Sequence, residues 1–198
     1  RIWKELHCEP SIDFEESASD KKQICTSRSF SRELTTLDEI SQAVASFATT
    51  CAASLRRQHS VCRSMHVFIL TNPYKEVTAN YYRSVIVPLE TPTDSTLVIV
   101  KGAMSGLVKI FREEYSYKKA GVILQDISRK ESTPADLFCG YDSQKHAALM
   151  DSLDYINTRY GRNTLVTATQ GVSKIKANSN HLSRRYTTCW DDIIEVKI

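Results

Sequence analysis

The sequence lacks the patterns by which a membrane span, a phosphate-binding loop or a zinc site is usually found. No apolar run approaches the roughly 18 residues that predict a transmembrane helix, and no secretory signal is visible. None of the six glycines falls in GxGxxG or GxxxxGK[ST] order. None of the six cysteines forms a CxxC pair or lies near a histidine at finger spacing, so we expect no zinc and reduced thiols in the cytosol.

Catalytic constellations are equally scarce. Asp191 and Asp192 are the only adjacent aspartates, and no other carboxylates join them in the converging pattern that holds two catalytic cations. A pair of like charges near the terminus is typical of a solvated surface. The Ser, His and Cys residues show no nucleophile-elbow or Cys/His signature. We therefore predict no active site, metal or cofactor here, and the first residue, Arg1 rather than Met, predicts a piece of a longer protein.

What is present is an ordinary globular composition. The 198 residues are 41% hydrophobic and 25% charged, as in a typical soluble domain. The formal net charge of +3 and the pI of about 8.5 permit nucleic-acid binding but do not require it. The distribution of the basic residues is therefore more informative than their number.

Hydrophobic periodicity predicts an α+β domain. Strands are indicated at 23–30, 65–71, 82–89 and 117–127. A capping box at Thr36 and Glu39 begins the first helix, and a second helix follows the turn at 91–95. The order βαββαβ is the split βαβ arrangement, in which two helices cover one face of a four-stranded sheet and leave the other face open. We expect the second helix to bury six side chains: Leu97, Val100, Met104, Leu107, Val108 and Phe111.

The C-terminal part is predicted to be less regular. Residues 129–142 are indicated as a linker with one apolar pair, Leu137 and Phe138, which suits docking into a groove of another protein or a return onto the core. Residues 144–160 form a predicted amphipathic helix with Leu149, Leu153 and Ile156 as its apolar positions, ended by Gly161. A short strand is expected at 164–169.

Two basic clusters are candidates for phosphate contacts. Hydroxyls, backbone amides and guanidinium groups bind phosphates, and one cluster at the first strand offers them: Ser27, Arg28, Ser29 and Arg32. Lys118 and Lys119 open the fourth strand. In a split βαβ sheet the first and last strands lie in the interior or adjacent to it, so both clusters could share one side; ordinary solvated charge is the alternative. Arg56 and Arg57 end a helix, where cations are stabilised by its dipole, so we interpret them as structural.

Six segments, in order along the chain, resemble motifs of the UmuC-type Y-family lesion-bypass DNA polymerases. They are KKQICTSRSF at 21–30 beside KKQI-x-x-SRSF, AASLR at 52–56 beside AAEKLR, FILTNPY at 68–74 beside FI-x-TNPF, YKKAGVIL at 117–124 beside YKKAGVML, GRNT at 161–164 beside GRGT, and LSRRYTT at 182–188 beside LSPRYTT. Arg184 stands where that last motif has proline.

The resemblance implies a domain organisation. Residues 1–20 would be the end of the thumb domain and a linker, 21–128 the little-finger domain, 129–142 a linker and 143–198 the C-terminal extension. The palm, with its catalytic magnesium, would lie outside this chain. The little finger of this family lies along primer–template DNA, which implies DNA contacts by Ser27, Arg28, Ser29, Lys118 and Lys119.

The resemblance also implies protein partners in the bacterial cytoplasm and nucleoid. The family carries a sliding-clamp motif, Gln-Leu-x-Leu-Phe, after the little finger. Here Leu137 and Phe138 match the last two residues of the motif, but its Gln and first Leu are absent. Cleaved UmuD dimers and RecA filaments are the other family partners. We therefore expect either DNA binding in the SOS response, steeply salt-dependent and independent of base sequence, or a protein-docking module with little DNA affinity of its own.

Overall fold

The structure, a computed structural model, describes residues 1–12, 19–75, 80–133, 143–171, 183–187, 189 and 193. Its elements are α1 (Ile2–Leu6), β1 (Ile24–Leu34), α2 (Leu37–Arg57), β2 (Ser60–Thr71), β3 (Tyr82–Thr93), α3 (Thr96–Ile110), β4 (Tyr117–Arg129) and α4 (Ser143–Arg159), with short 3-10 turns at Lys130–Ser132 and Ala168–Gln170. The predicted α+β class is confirmed. In the described ranges, no helix is both long and apolar enough to cross a membrane.

The four strands form one antiparallel sheet in the order β1-β4-β2-β3. The crossover from β1 through α2 to β2 leaves a gap of one strand, which β4 fills. The crossover from β3 through α3 to β4 leaves a gap that β2 fills. Each βαβ unit is therefore split by a strand of the other, so the sheet cannot be completed until both units are present. This is the predicted split βαβ topology.

The core lies between the sheet and the two helices, α2 and α3. Side chains alternate along a strand, and the helix-facing positions of the inner strands are buried completely: Met65, Val67, Ile69, Ala120, Val122 and Leu124. α2 covers them with a stripe that includes Ile40, Val44 and Leu55, each 0% exposed. Its start shows one half of the predicted capping box: Thr36 Oγ1 accepts a hydrogen bond from the Glu39 amide at 3.4 Å. The Glu39 carboxylate accepts hydrogen bonds from the Thr36 hydroxyl and from Arg32.

The buried face of α3 differs from the prediction. Leu97 is 40% and Val108 62% exposed, so both were wrongly placed in the core. The reason is that α3 turns its small residues toward the sheet: a Cβ at Gly106 would lie 2.8 Å from Val87 Cγ2. Glycine there brings the helix close to β3 and rotates Val108 outward. The buried positions are Thr96, Ile99, Val100, Ala103, Gly106, Leu107 and Ile110.

α4 packs against the helix layer through fewer side chains than predicted. Met150 and Leu153 are buried, at 1% and 7% exposure, whereas Leu149 is 47% exposed. The strand expected at 164–169 is absent from these described residues. A turn at 162–163, where Gly161 and Asn163 have positive φ values of 106° and 64°, precedes the stretch. Residues 164–167 are irregular, and the 3-10 turn Ala168–Gln170 follows.

Candidate nucleic-acid interface

The sheet face opposite α2 and α3 carries a regular array of side chains. Residues directly paired across antiparallel strands share a face, so the register defines rows on it. The rows are Gln125, Ser64 and Pro88; then Cys25, Ile123, His66 and Ile86; then Ser27, Gly121, Phe68 and Ser84; and last Ser29, Lys119, Leu70 and Tyr82. We call this array the open face. None of the fifteen residues in these rows, all in the described part of the chain, is Asp or Glu. The Asp126 carboxylate borders the first row, where it accepts a hydrogen bond from the Ser64 hydroxyl.

Three of the predicted DNA-binding residues come together on the open face. Ser27 pairs with Gly121, and Ser29 pairs with Lys119, which in turn pairs with Leu70. β1 is the edge strand and β4 its inner neighbour, so the two sequence clusters become adjacent. Two hydroxyls and one ammonium group, separated widely in the sequence, therefore lie at one end of the sheet.

The other predicted contacts point elsewhere. Arg28 pairs with Ala120, a helix-side position that is 0% exposed, so Arg28 projects from the helix side of the edge strand. Lys118 falls at a register shift in β4, between the paired residues Lys119 and Tyr117, and its Nζ lies 3.5 Å from the Ser31 carbonyl oxygen. Of the two lysines, the strand pairing therefore places Lys119 on the open face.

Arg32 is engaged by a carboxylate of the same chain. Its guanidinium group donates a hydrogen bond to Glu39, at the beginning of α2. That hydrogen bond is the largest of the influences that lower the pKa of Glu39, with the Thr36 hydroxyl also contributing. Arg32 therefore stabilises the start of α2 as well as standing near the basic cluster.

Sequence reasoning missed the rings on the open face. Phe68 extends from β2 across Gly121 of β4: a Cβ at position 121 would lie 2.6 Å from Phe68 Cε1 and 2.6 Å from Ser27 Cβ. His66 lies beside it, with ring centroids 6.1 Å apart, and Tyr82, the first residue of β3, is 59% exposed. Alternation along β2 could have separated Phe68 from the core residues Val67 and Ile69, but the contact with Gly121 depends on the register between two distant strands.

Arg56 has the structural role predicted for it. Its side chain is 8% exposed, and its Nε and Nη2 atoms donate to the two carboxylate oxygens of Asp154 in α4, at 2.6 and 2.7 Å. Nη1 donates to the Asp94 carbonyl oxygen and to the Thr96 hydroxyl, at 2.8 and 2.9 Å. The guanidinium group thus joins α2, the start of α3 and α4. Arg57, in contrast, is exposed and binds only within α2.

The clamp-motif pair, the adjacent aspartates and the cysteines add no further site to the described structure. Leu137, Phe138, Asp191 and Asp192 lie outside the described residues. Within the described ranges, no three His, Cys, Asp or Glu side chains group as a metal site. Burial raises the pKa of the Cys51 and Cys62 thiols to about 11 and about 12, which keeps them protonated and unreactive at neutral pH.

Comparisons with known proteins match the whole chain. A family model described as the impB/mucB/samB family C-terminal domain matches residues 21–137, and a second, described as a domain of unknown function (DUF4113), matches residues 147–196. Protein UmuC of Salmonella typhimurium is 38% identical over 199 residues, 100% of this chain and 47% of that protein. Protein MucB of Escherichia coli is 39% identical over 195 residues, 98% of this chain and 46% of that protein. The chain spans about half the length of the curated relatives it matches.

Proposed function

Because the chain belongs to the impB/mucB/samB family, we propose that it is the non-catalytic part of an error-prone lesion-bypass DNA polymerase of the bacterial SOS response, and that it binds primer–template DNA. Its relatives include UmuC and MucB, and their greater length leaves room for a catalytic palm and its magnesium outside this chain. This chain would bind the DNA, and the part of the polymerase outside it would catalyse nucleotide transfer.

The observation that carries the proposal is the composition of the open face. Ser27, Ser29 and Lys119 lie together there, and the two rows that hold them contain no Asp or Glu. The Asp126 carboxylate, which binds the Ser64 hydroxyl, lies at the other end of the sheet. Hydroxyls, ammonium groups and backbone amides are the groups that position a duplex by its phosphates. β1 adds the amides of an edge strand, which lack a second neighbour in the sheet. Such contacts hold DNA without reading its sequence.

The structure predicts a weaker salt dependence than the sequence does. Lys119 is the only Lys or Arg among the rows, with Arg28 on the helix side of β1 and Lys118 at the register shift of β4 beside them. Each neutralised phosphate contributes about −0.9 to the slope of log K against log salt. If all three cations bind phosphates, the slope is about −3, and the hydroxyl contacts add little to it.

Fluorescence anisotropy of a labelled primer–template duplex, titrated with the protein at several salt concentrations, tests the proposal. Lys119→Glu should weaken binding and reduce the slope by roughly one unit, because one phosphate contact is lost. Lys101→Glu is the matched control, since Lys101 is exposed on α3 and lies on the other side of the sheet. Equal slopes for the wild type and Lys119→Glu would remove β4 from the DNA-binding surface.

A second candidate function is a docking module for proteins: the sliding clamp, a cleaved UmuD dimer or a RecA filament. The observation that favours it is the apolar content of the open face, where Ile86 is 62% exposed and Ile123 and Leu70 are half-buried. Apolar patches of this kind mark protein-binding surfaces. The same titration separates the two, because a docking module would not bind the duplex even at low salt.

A further inference from the structure

Two aromatic rings on the open face are not explained by phosphate contacts. Phe68 and Tyr82 lie on the neighbouring strands β2 and β3, in adjacent rows. Neither ring belongs to the buried core of the sheet. Phosphates are bound by charged groups, hydroxyls and amides, so a ring contributes nothing to that role.

The Phe68 ring lies close over the backbone of its neighbour across the sheet, Gly121. Any side chain larger than hydrogen at position 121 would collide with its ring, since a Cβ there would lie 2.6 Å from Phe68 Cε1. The ring thus lies over the backbone of β4 and leans toward Ser27 of β1. Phe68 is only half-buried, so part of its ring is accessible to a ligand on the open face.

Tyr82 contrasts with the tyrosine before it in the chain. Tyr81 stacks on Tyr115 with ring centroids 4.3 Å apart, and its hydroxyl donates to the Ile110 carbonyl oxygen at 2.7 Å. Tyr82 lies in the row of Leu70 and Lys119 and is 59% exposed. Of the two tyrosines, Tyr81 closes the end of the core and Tyr82 presents its ring beside a cation.

The spacing of the rings suits unstacked bases. Phe68 and Tyr82 are diagonal neighbours across β2 and β3, so their Cα atoms lie about 7–8 Å apart. Phe68 leans toward β1, away from Tyr82, which separates the rings further. Bases stacked in a helix are only about 3.4 Å apart along a strand, and in a duplex their faces are covered by neighbours. A single strand with splayed bases can place one base on each ring.

We propose that the open face binds an unpaired stretch of DNA, with bases stacked on Phe68 and Tyr82 and a phosphate beside Lys119. Four-stranded sheets backed by helices bind single strands in this way when aromatic rings stand on their open face. The inference rests on the proposed function only in placing DNA on this face. It adds that a single strand, such as template that has not been copied, is a ligand in its own right.

The test compares single-stranded and duplex probes of equal length. The single strand is oligo(dT) with one 2-aminopurine, whose fluorescence is quenched when it stacks on a ring, and the duplex binding is followed by anisotropy. Tyr82→Ser should weaken single-strand binding roughly fivefold or more and remove part of the quenching, because a stacked base is lost. Tyr82→Phe keeps the ring and should retain both signals. Phe68→Leu and Gly121→Ala should act like Tyr82→Ser, the second by displacing the ring.

Tyr160→Ser is the matched control, since Tyr160 is 65% exposed but lies after α4, away from the sheet. Tyr82 is exposed, so Tyr82→Ser should fold normally, and its circular dichroism melting curve checks this. Unchanged single-strand affinity and quenching in Tyr82→Ser, with the duplex still bound by wild type, would overturn the inference and leave the proposed function standing. Failure of wild type to bind either probe would overturn both.

Discussion

Two cations on opposite sides of the sheet, Arg56 and Lys119, have different surroundings. The Arg56 guanidinium group donates hydrogen bonds to Asp154, Asp94 and Thr96. Lys119 stands in a row with a serine hydroxyl, a leucine and an exposed tyrosine. Among the described residues, no fully buried side-chain nitrogen or oxygen lacks a hydrogen-bond partner.

The contrast between Arg56 and Lys119 shows that a pair of adjacent cations in this sequence does not by itself identify a binding surface. Arg56 and Arg57 form an adjacent basic pair as conspicuous in the sequence as Lys118 and Lys119. Only 8% of the Arg56 side chain is exposed, however. A planar guanidinium group that matches a carboxylate with two hydrogen bonds suits an internal joint. The surroundings of each cation, rather than its charge, separate structural from binding residues.

Among the variants considered, the largest loss of stability is expected from truncating a buried side chain of α3. Leu107→Ala should lower the free energy of unfolding by about 2–5 kcal/mol, because a side chain that is 0% exposed leaves a cavity. Val108→Ala, one residue further and 62% exposed, should change it by less than about 0.5 kcal/mol. Urea denaturation followed by circular dichroism measures both. Comparable losses in the two variants would show that α3 is rotated from the orientation described.

A smaller effect is expected where α4 joins the helix layer. Asp154→Ala removes both hydrogen bonds from the largely buried Arg56 but leaves those to Asp94 and Thr96, and Asp154 itself is 33% exposed. We expect a loss of about 1–3 kcal/mol, concentrated in α4. Hydrogen exchange should show α4 opening faster while β2 and β4 keep their protection.

Asp151→Ala is the control for that joint, because Asp151 is exposed on the same helix. It should leave exchange in α4 unchanged. If Asp154→Ala also leaves exchange unchanged, the docking of α4 depends on the buried Met150 and Leu153 rather than on the ion pair.

The order of the elements could be predicted from the sequence because it depends on local signals. Alternation marked the strands, and the capping box at Thr36 marked the beginning of α2, where the Glu39 amide donates to it. The orientation of α3 could not be predicted in the same way. Periodicity identifies a buried face by its large apolar side chains, whereas α3 turns Ala103 and Gly106 to the sheet and leaves Val108 in solvent.

The candidate site was predictable only in part, for a related reason. The expected positions of the first and last strands indicated that the two basic clusters could share one side of the sheet, and Ser29 does pair with Lys119. Which of the two lysines faces outward, and that Phe68 lies over Gly121, follow from the exact register of β4 against β1 and β2. A shift of one residue would exchange the two faces, and no local pattern in the sequence determines that register.

The smallest effect on stability and on DNA affinity is expected at Arg32. This residue lies near the basic cluster but forms an ion pair within the protein. Arg32 is in β1 near the basic cluster, but it pairs with Glu39, and 69% of its side chain is exposed. Arg32→Ala should reduce duplex affinity little and cost about 0.2–1 kcal/mol of stability, because solvent screens the pair. The pairing lowers the pKa of Glu39 from its usual value of 4.5, so the stabilisation is present above that value and is lost as the pH falls through the lowered pKa.

The difference in unfolding free energy between wild type and Arg32→Ala, measured in urea, should therefore be larger near neutral pH than in acid. Arg57→Ala is the control, because Arg57 is exposed and donates to the Ala53 carbonyl oxygen and the Ser54 hydroxyl rather than to a carboxylate. Its cost should not depend on pH in this way. A marked loss of duplex affinity in Arg32→Ala would contradict the assignment, since it would mean that Arg32 leaves Glu39 to bind a phosphate and that the binding surface extends around the β1 edge.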